Sequence, residues 1–290
     1  MFKIPEPMFW TIRGGQLDIS KPLMMGILNL TPDSFSDGGR LMSEEPAFRA
    51  AEKMVLDGAD ILDLGGESTR PGAQRISARE ELDRVLPVLK RICTSLRIPV
   101  SVDTTKPEVA RVCVEEGANI INDVSGLADS GEAMAKVVYD SGAGLVLMHR
   151  RGNPETMQQL AHYENVTREV LEDLRKSIDL ARRCGVKDSQ WVVDPGFGFA
   201  KDAEQNFLLL KQLDQFAELG RPVLVGPSRK SFIGKVTGRE PEDRDYGTAA
   251  AVTLAYARGA RIFRVHQIAA MRDVLKVCEA VVSEGKIFQE

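Results

Sequence analysis

Apolar and polar positions in this chain separate into blocks. Eight short, nearly uninterrupted runs rich in Val, Ile, Leu and Met occupy 23–28, 59–64, 98–102, 118–121, 143–148, 190–193, 222–225 and 260–265. Runs of that length are what parallel strands buried on both faces require. Between them the apolar positions recur every three or four residues, the period of an amphipathic helix. Val166, Val170, Leu174 and Ile178 are spaced by four. Leu82, Val85, Leu86, Leu89 and Ile92 share one face behind a Ser77/Glu80 capping box, and Pro87 within that stretch predicts a kink. Asp202 is placed to cap the stretch bearing Phe207, Leu210 and Leu213, while Met271, Val274, Cys278 and Val281 line the last helix. Gly58, Gly117, Gly142, Gly185, Gly220 and Gly259 each stand shortly before the next apolar run, where helices end.

Ahead of this series, residues 8–19 read as a β-hairpin turning at Gly14-Gly15. A lone hairpin is barely stable, so it is expected to cap the main domain. Eight β-then-α units without a linker or composition shift predict an α/β fold. The expectation is a (β/α)8 TIM barrel over 21–290, with residues 1–20 as its N-terminal β-hairpin cap and one domain overall. An open doubly wound sheet would normally carry G-x-G-x-x-G after its first strand, and N-L-T-P-D-S stands there instead.

Composition narrows the function classes. With 290 residues, 43% apolar and 28% charged, the chain has the make-up of a soluble globular protein. A net charge of −4 and a pI near 5.6 argue against general nucleic-acid or membrane-surface binding. No apolar run approaches the ~20 residues that cross a bilayer, and the N-terminus lacks a signal-peptide pattern. Cys93, Cys113, Cys184 and Cys278 form no C-x-x-C pair and fall in helical stretches. Reduced thiols and a cytoplasmic location are the expectation.

Candidate chemistry collects where barrel enzymes keep it, at the C-terminal ends of the strands. Asn29 ends the first run, Asp63 and then Gly65 to Arg70 the second, Asp103-Thr104-Thr105 the third and Asn122-Asp123 the fourth. His149, Asp194, Ser228 to Ser231, and Arg264 with His266 follow the remaining four. Any one Asp could be a helix or loop cap. Their recurrence around one rim argues for a site. Asp103, Asn122 and Asp194 suit a flat heterocycle whose edge offers several N–H donors, such as a 2-amino-4-oxo pyrimidine. Lys230 could reach a ring oxygen or nitrogen, and Arg264 could lie against a π face. Arg70, Lys230, Arg264 and His266 would face one another as an anion site, with Ser228 to Ser231 opening a short helix. If Asn29 binds Mg2+, a diphosphate is a natural co-ligand. The histidines are too few and too scattered for zinc.

The segments M-G-I-L-N-L-T-P-D-S-F-S-D-G-G, D-L-G-G-E-S-T-R-P-G-A, S-V-D-T-T-K-P-E-V, I-I-N-D-V-S-G, L-M-H-R-R-G-N-P-E-T-M-Q, D-P-G-F-G-F-A-K, V-G-P-S-R-K-S-F-I-G and F-R-V-H run from about Met24 to the last helix. They closely resemble the motifs of the dihydropteroate synthase family of pterin-binding barrels. The resemblance implies a folate-biosynthesis transferase, inhibited in this family by sulfonamides. It would condense 6-hydroxymethyl-7,8-dihydropterin diphosphate with 4-aminobenzoate and release pyrophosphate, with Mg2+. It further implies that Asp103, Asn122, Asp194 and Lys230 contact the pterin edge and that Arg264 stacks on the pterin. Arg70, His266 and Asn29 would serve the diphosphate and the metal, with Thr69 near the substrate. Phe35, Thr69, Pro71, Phe199, Lys230 and Ser231 would form the aminobenzoate pocket, and Asp37 would face the reacting methylene. The catalytic set on this reading is Asp37, Arg70, Lys230 and His266.

Two competing readings share the barrel. A methyltetrahydrofolate–corrinoid methyltransferase would keep the Asp103, Asn122 and Asp194 trio, yet has no need of S-T-R-P-G or S-R-K-S. A catalytically silent pterin-binding barrel would have no reason to keep Asn29, Asp37, Arg70 and Lys230 together. The family also implies a homodimer formed by outer helices near the C-terminus. One departure stands out: the family usually has an acid after R-V-H, and Gln267 is there.

Overall fold

A computed structural model describes residues 8–31, 44–70 and 72–282. Strands β1 (Phe9–Ile12) and β2 (Gly15–Asp18) pair antiparallel about a turn in which Gly14 has φ +85°. Eight parallel strands then close a barrel: β3 (Leu23–Asn29), β4 (Ile61–Gly65), β5 (Val100–Asp103), β6 (Ile120–Asp123), β7 (Gly144–Met148), β8 (Trp191–Asp194), β9 (Val223–Val225) and β10 (Ala260–Val265). They lie in chain order, and β10 pairs with both β9 and β3. The helices are α1 (Glu44–Leu56), α2 (Ala78–Ser95), α3 (Pro107–Glu115), α4 (Glu132–Ser141), α5 (Val166–Arg183), α6 (Ala203–Lys211), α7 (Ser231–Thr237), α8 (Asp245–Ala257) and α9 (Ile268–Val282). The chain is a (β/α)8 barrel with α7 and α8 both inserted between β9 and β10. Among the described residues, no helix is long and apolar enough to cross a membrane.

The two-residue period of a strand sorts these side chains into two cores. Leu28, Leu62, Leu64, Val102, Leu145, Leu147, Val193 and Phe263 face outward and pack with helix residues such as Val85, Leu89, Val138 and Leu174. Leu23, Met25, Ile61, Ile120, Val146, Val192, Leu224 and Ile262 face inward at the N-terminal end of the barrel, where Trp10, Ile12 and Ile19 of the hairpin segment join them. The hairpin is fastened there by polar contacts as well. Trp10 Nε1 donates to Gln190 O at 2.8 Å, and Asn119 Nδ2 donates to Arg13 O at 2.9 Å. A Cβ at Gly144 would lie 2.8 Å from Ile12 Cγ2, so glycine is what lets the hairpin seat this closely. Two residues further along the strands the inward positions turn polar: Asp63, Ser101, Asp103, Asn122, Asp194 and Arg264.

Several boundaries differ from the sequence reading. β4, β5, β6 and β8 end one or two residues later than the apolar runs and take in Asp103, Asn122 and Asp194. Backbone pairing is indifferent to side-chain polarity, so a strand continues past the point where its hydrophobicity stops. α2 runs unbroken across Pro87. Ser77 caps it by accepting from Glu80 N at 3.2 Å, but the Glu80 carboxylate bonds Arg84 at 2.6 Å rather than closing the box. Asp202 and Gln205 do form a reciprocal box at α6. Phe207 and Val281, expected on buried faces, are 37% and 68% exposed.

Candidate active site at the C-terminal mouth of the barrel

Register places the polar strand ends next to one another. Asn29 pairs with Gly65, Gly65 with Asp103, and Asp103 with Asn122. With neighbouring strands about 4.8 Å apart, these four rungs span about 15 Å of the rim. A Cβ added at Gly65 would meet Asp103 Cβ at 3.7 Å and Asn29 Oδ1 at 3.9 Å, so the bare glycine leaves those two side chains bordering one space.

Across the barrel Arg264 reaches from β10. Its Nε donates to Asp63 Oδ2 at 2.6 Å and its Nη2 to Asp103 Oδ2 at 3.0 Å. Asn122 Nδ2 donates to the same Asp63 oxygen at 3.1 Å. Asp63 is fully buried and sits at the hub of this network, and the sequence reading gave it no site role. The signal was present in A-D-I-L-D-L, since a carboxylate inside a buried apolar run must find a partner. Burial holds the Asp103 carboxyl above the usual range; Arg264 opposes that rise and the nearby Asp63 adds to it. Asp194, 5% exposed at the end of β8, accepts from Gly196 N at 2.7 Å through Oδ1. Burial raises its pKa to about 6, against that backbone bond and the pull of Lys230.

Lys230 stands at the N-terminus of α7, its Nζ 4.1 Å from the centroid of the Phe199 ring. Burial, then Arg264, lowers its pKa to about 8. The charge of Arg70 also registers at Lys230, although Arg70 itself is solvent-exposed on the loop after β4. His266 follows β10. Ser228 Oγ accepts from His266 N at 3.2 Å and lies 2.9 Å from Nδ1, a hydrogen bond that fixes the ring's orientation. Burial and the neighbouring Arg264, Arg229 and Lys230 lower the His266 pKa to about 3, which keeps the ring uncharged. Gln267 is exposed beside it and opens α9 through its backbone carbonyl, which accepts from Met271 N at 3.3 Å.

The mouth thus gathers Asn29, Asp103, Asn122, Asp194, Lys230, Arg264 and His266. Phe199 is buried at its edge with Val124, Met148, Met157 and Ala200, Thr69 is half-buried, and Ser231 is exposed at the first turn of α7. Phe35, Asp37 and Pro71 lie outside the described residues. Two polar strand ends do not face the mouth. Asp123 accepts from Ser125 N and Leu127 N, closing the turn after β6. His149 is buried between Lys201 and Asp173. Arg229, within S-R-K-S, turns away to a bidentate pair with Asp245 at 2.9 and 3.0 Å. Among the described residues, no group of three His, Cys, Asp or Glu side chains could hold a metal ion.

Chemically, the mouth offers two carboxylates and an amide as acceptors for a planar N–H-rich edge, with a guanidinium fixed between them. Beside them a lysine, an imidazole and a loop arginine are suited to an anion.

Comparison with known proteins agrees with this arrangement. Residues 25–266 match the family described as Pterin binding enzyme. The dihydropteroate synthase of Synechocystis sp. is 49% identical over 259 residues, covering 89% of each chain. The Xanthomonas albilineans dihydropteroate synthase solved with 4-aminobenzoic acid superposes with a TM-score of 0.90 at 44% identity, covering 96% of this chain and 99% of that one. The Yersinia pestis dihydropteroate synthase solved in complex with a sulfonamide drug also gives 0.90, at 37% identity, covering 95% and 100%.

Proposed function

The chain belongs to the dihydropteroate synthase family of pterin-binding enzymes, and on that premise we propose how its residues divide the reaction. It is a transferase that joins 6-hydroxymethyl-7,8-dihydropterin diphosphate to 4-aminobenzoate and releases pyrophosphate. One observation carries the assignment to residues: Asp103 and Asn122 share one network with Arg264, and Asp194 and Lys230 add their charges to it.

The pterin edge donates to Asp194, Asp103 and Asn122, Lys230 reaches a ring acceptor, and Arg264 stacks against the ring. Arg70 and His266 hold the diphosphate. Asn29 would hold Mg2+; a single amide oxygen with no carboxylate cluster beside it fits a cation that arrives with the phosphates better than a resident one. When bound, Mg2+ supplies charge neutralisation to the departing pyrophosphate. As the methylene–oxygen bond breaks, positive charge spreads into the pterin, and the Asp37 carboxylate stabilises it. The aniline nitrogen, held by Phe35, Thr69, Pro71, Phe199, Lys230 and Ser231, attacks the methylene carbon. No covalent enzyme intermediate is required.

The assembly is a homodimer. The apolar Leu254 of α8 and Val277 and Val281 of α9, all more than half exposed on two helices that pack together, support this. The enzyme works in the cytoplasm.

The test is a coupled pyrophosphate-release assay with 4-aminobenzoate, with and without Mg2+. Release that depends on both the arylamine and the metal supports the reading. Release with no arylamine incorporated when both substrates and Mg2+ are present, or no release at all, refutes it. Asp37→Ala is expected to retain pterin diphosphate binding and to lose about 100-fold or more in kcat, the scale of removing one transition-state charge partner. Unchanged turnover would remove Asp37 from the mechanism.

A further inference from the structure

The loop between β8 and α6 carries Phe199 and runs through left-handed backbone at Gly196, Gly198 and Ala200, with φ +70°, +80° and +49°. Ala200 is the informative position. A residue with a Cβ in that region costs about 1–3 kcal/mol and persists only where its surroundings impose it. Three groups impose it here. Asp194 Oδ1 accepts from Gly196 N at the start of the loop. Asn206 of α6, itself buried, accepts from Gly198 N at 2.7 Å and donates to Asp202 O at 2.6 Å.

The third group is Lys201, 3% exposed, whose side chain folds back beneath the loop. Its Nζ donates to Gly196 O at 3.0 Å and to Phe199 O at 2.9 Å, and lies 2.9 Å from His149 Nδ1. No carboxylate is among these partners. On the far side of the ring, His149 Nε2 faces Asp173 Oδ2 at 3.4 Å. His149 O also backs the loop, since a Cβ at Gly196 would fall 2.0 Å from it. A buried lysine is rare because desolvating its charge is costly, and an apolar side chain would fill the space at less cost. Only a donor with several hydrogens can gather two loop carbonyls at once.

We propose that Lys201 is a positioning residue for the arylamine subsite. By drawing the Gly196 and Phe199 carbonyls onto one amine, it fixes the distance from the Asp194 carboxylate to the Phe199 ring and the Lys230 ammonium above it. The role rests on the reading of Phe199 and Lys230 as aminobenzoate-facing. Lys201 touches no reacting atom on this account. Its loss displaces the arylamine pocket directly and reaches the pterin side only through the charge that helps to keep Asp194 ionised.

The experiment measures kcat and both KM values for the intact enzyme, for Lys201→Met and for Phe199→Ala. Lys201→Met keeps the volume and removes the donors. Measured at about pH 8.5, where Asp194 stays ionised with or without the Lys201 charge, the expected result is a KM for 4-aminobenzoate raised about tenfold or more, with the KM for pterin diphosphate and kcat within roughly threefold. A variant that raises both KM values alike, or neither, overturns the positioning role. Phe199→Ala reports on the pocket reading separately: if it leaves the aminobenzoate KM unchanged, that reading fails whatever Lys201→Met does. Should Lys201→Met give no soluble enzyme, the same values are read on Lys201→Met/Ala200→Gly, in which glycine relieves the backbone strain at that position but supplies no donor to the Gly196 and Phe199 carbonyls. The same selective rise is expected there, and its absence refutes the proposal.

Discussion

At the scale of single residues, the site works through protonation states that burial has displaced. Burial raises the pKa of the Asp194 carboxyl to about 6, and in the proposed complex the pterin edge needs it ionised to accept hydrogen bonds. Above that pH the carboxylate is ready. Below it, each pH unit must first remove a proton, so pterin affinity is expected to fall about tenfold per unit until the complex itself titrates. Titration calorimetry with a pterin between pH 7.5 and about 4.5 checks this, with Asp194→Asn as the control that should bind weakly and keep only the pH dependence that Asp103, also raised by burial, contributes. A wild-type affinity flat across the range would mean that Asp194 does not contact the ligand. His266 acts in the opposite sense. Held neutral by burial and by Arg264, Arg229 and Lys230, it would meet the proposed diphosphate as an uncharged ring. Its orientation comes from Ser228, so the Gln267 departure leaves it in place.

At the scale of elements, the β1–β2 hairpin is the clearest case of structure separated from chemistry. Trp10 is fully buried against the inward residues at the far end of the barrel from Asp103 and Arg264. Trp10→Ala should destabilise the protein by about 3–5 kcal/mol, read from urea denaturation, with both KM values unchanged. A change in either KM would show that the two ends of the barrel are coupled. The hairpin and the eight β-then-α units were legible from period and punctuation alone, because buried parallel strands and amphipathic helices leave different repeats. The strand ends were less legible. Apolar content ran out at Val102 and Ile121, while the ladder continued to Asp103 and Asn122. Asp63 was placed on the rim but given no role, because its partners lie 59 and 201 residues away and no local pattern encodes them. Lys201 was visible only as the last letter of D-P-G-F-G-F-A-K. What it holds is backbone carbonyls, and those leave no trace in a sequence.

At the scale of the whole molecule, α8 and α9 present Leu254, Val277 and Val281 to solvent on the side wall of the barrel, away from the mouth. Leu254→Asp with Val277→Asp should convert the proposed homodimer to a monomer by light scattering, since paired charges facing a twofold contact are strongly disfavoured there. The pterin affinity should stay within roughly twofold of wild type. A mass that does not change would move the dimer contact elsewhere.

The hairpin that fills the floor of the barrel has a kinetic consequence. With Trp10 and Ile12 sealing one end, the site is a blind shaft, and whatever is seated on the strand ends must pass the loops that carry Phe199 and Ser231. On the proposed division of the site, traffic is expected to obey the rule of a stack: the bicyclic substrate descends first, the arylamine settles on top of it, and an arylamine that arrives early bars the way down.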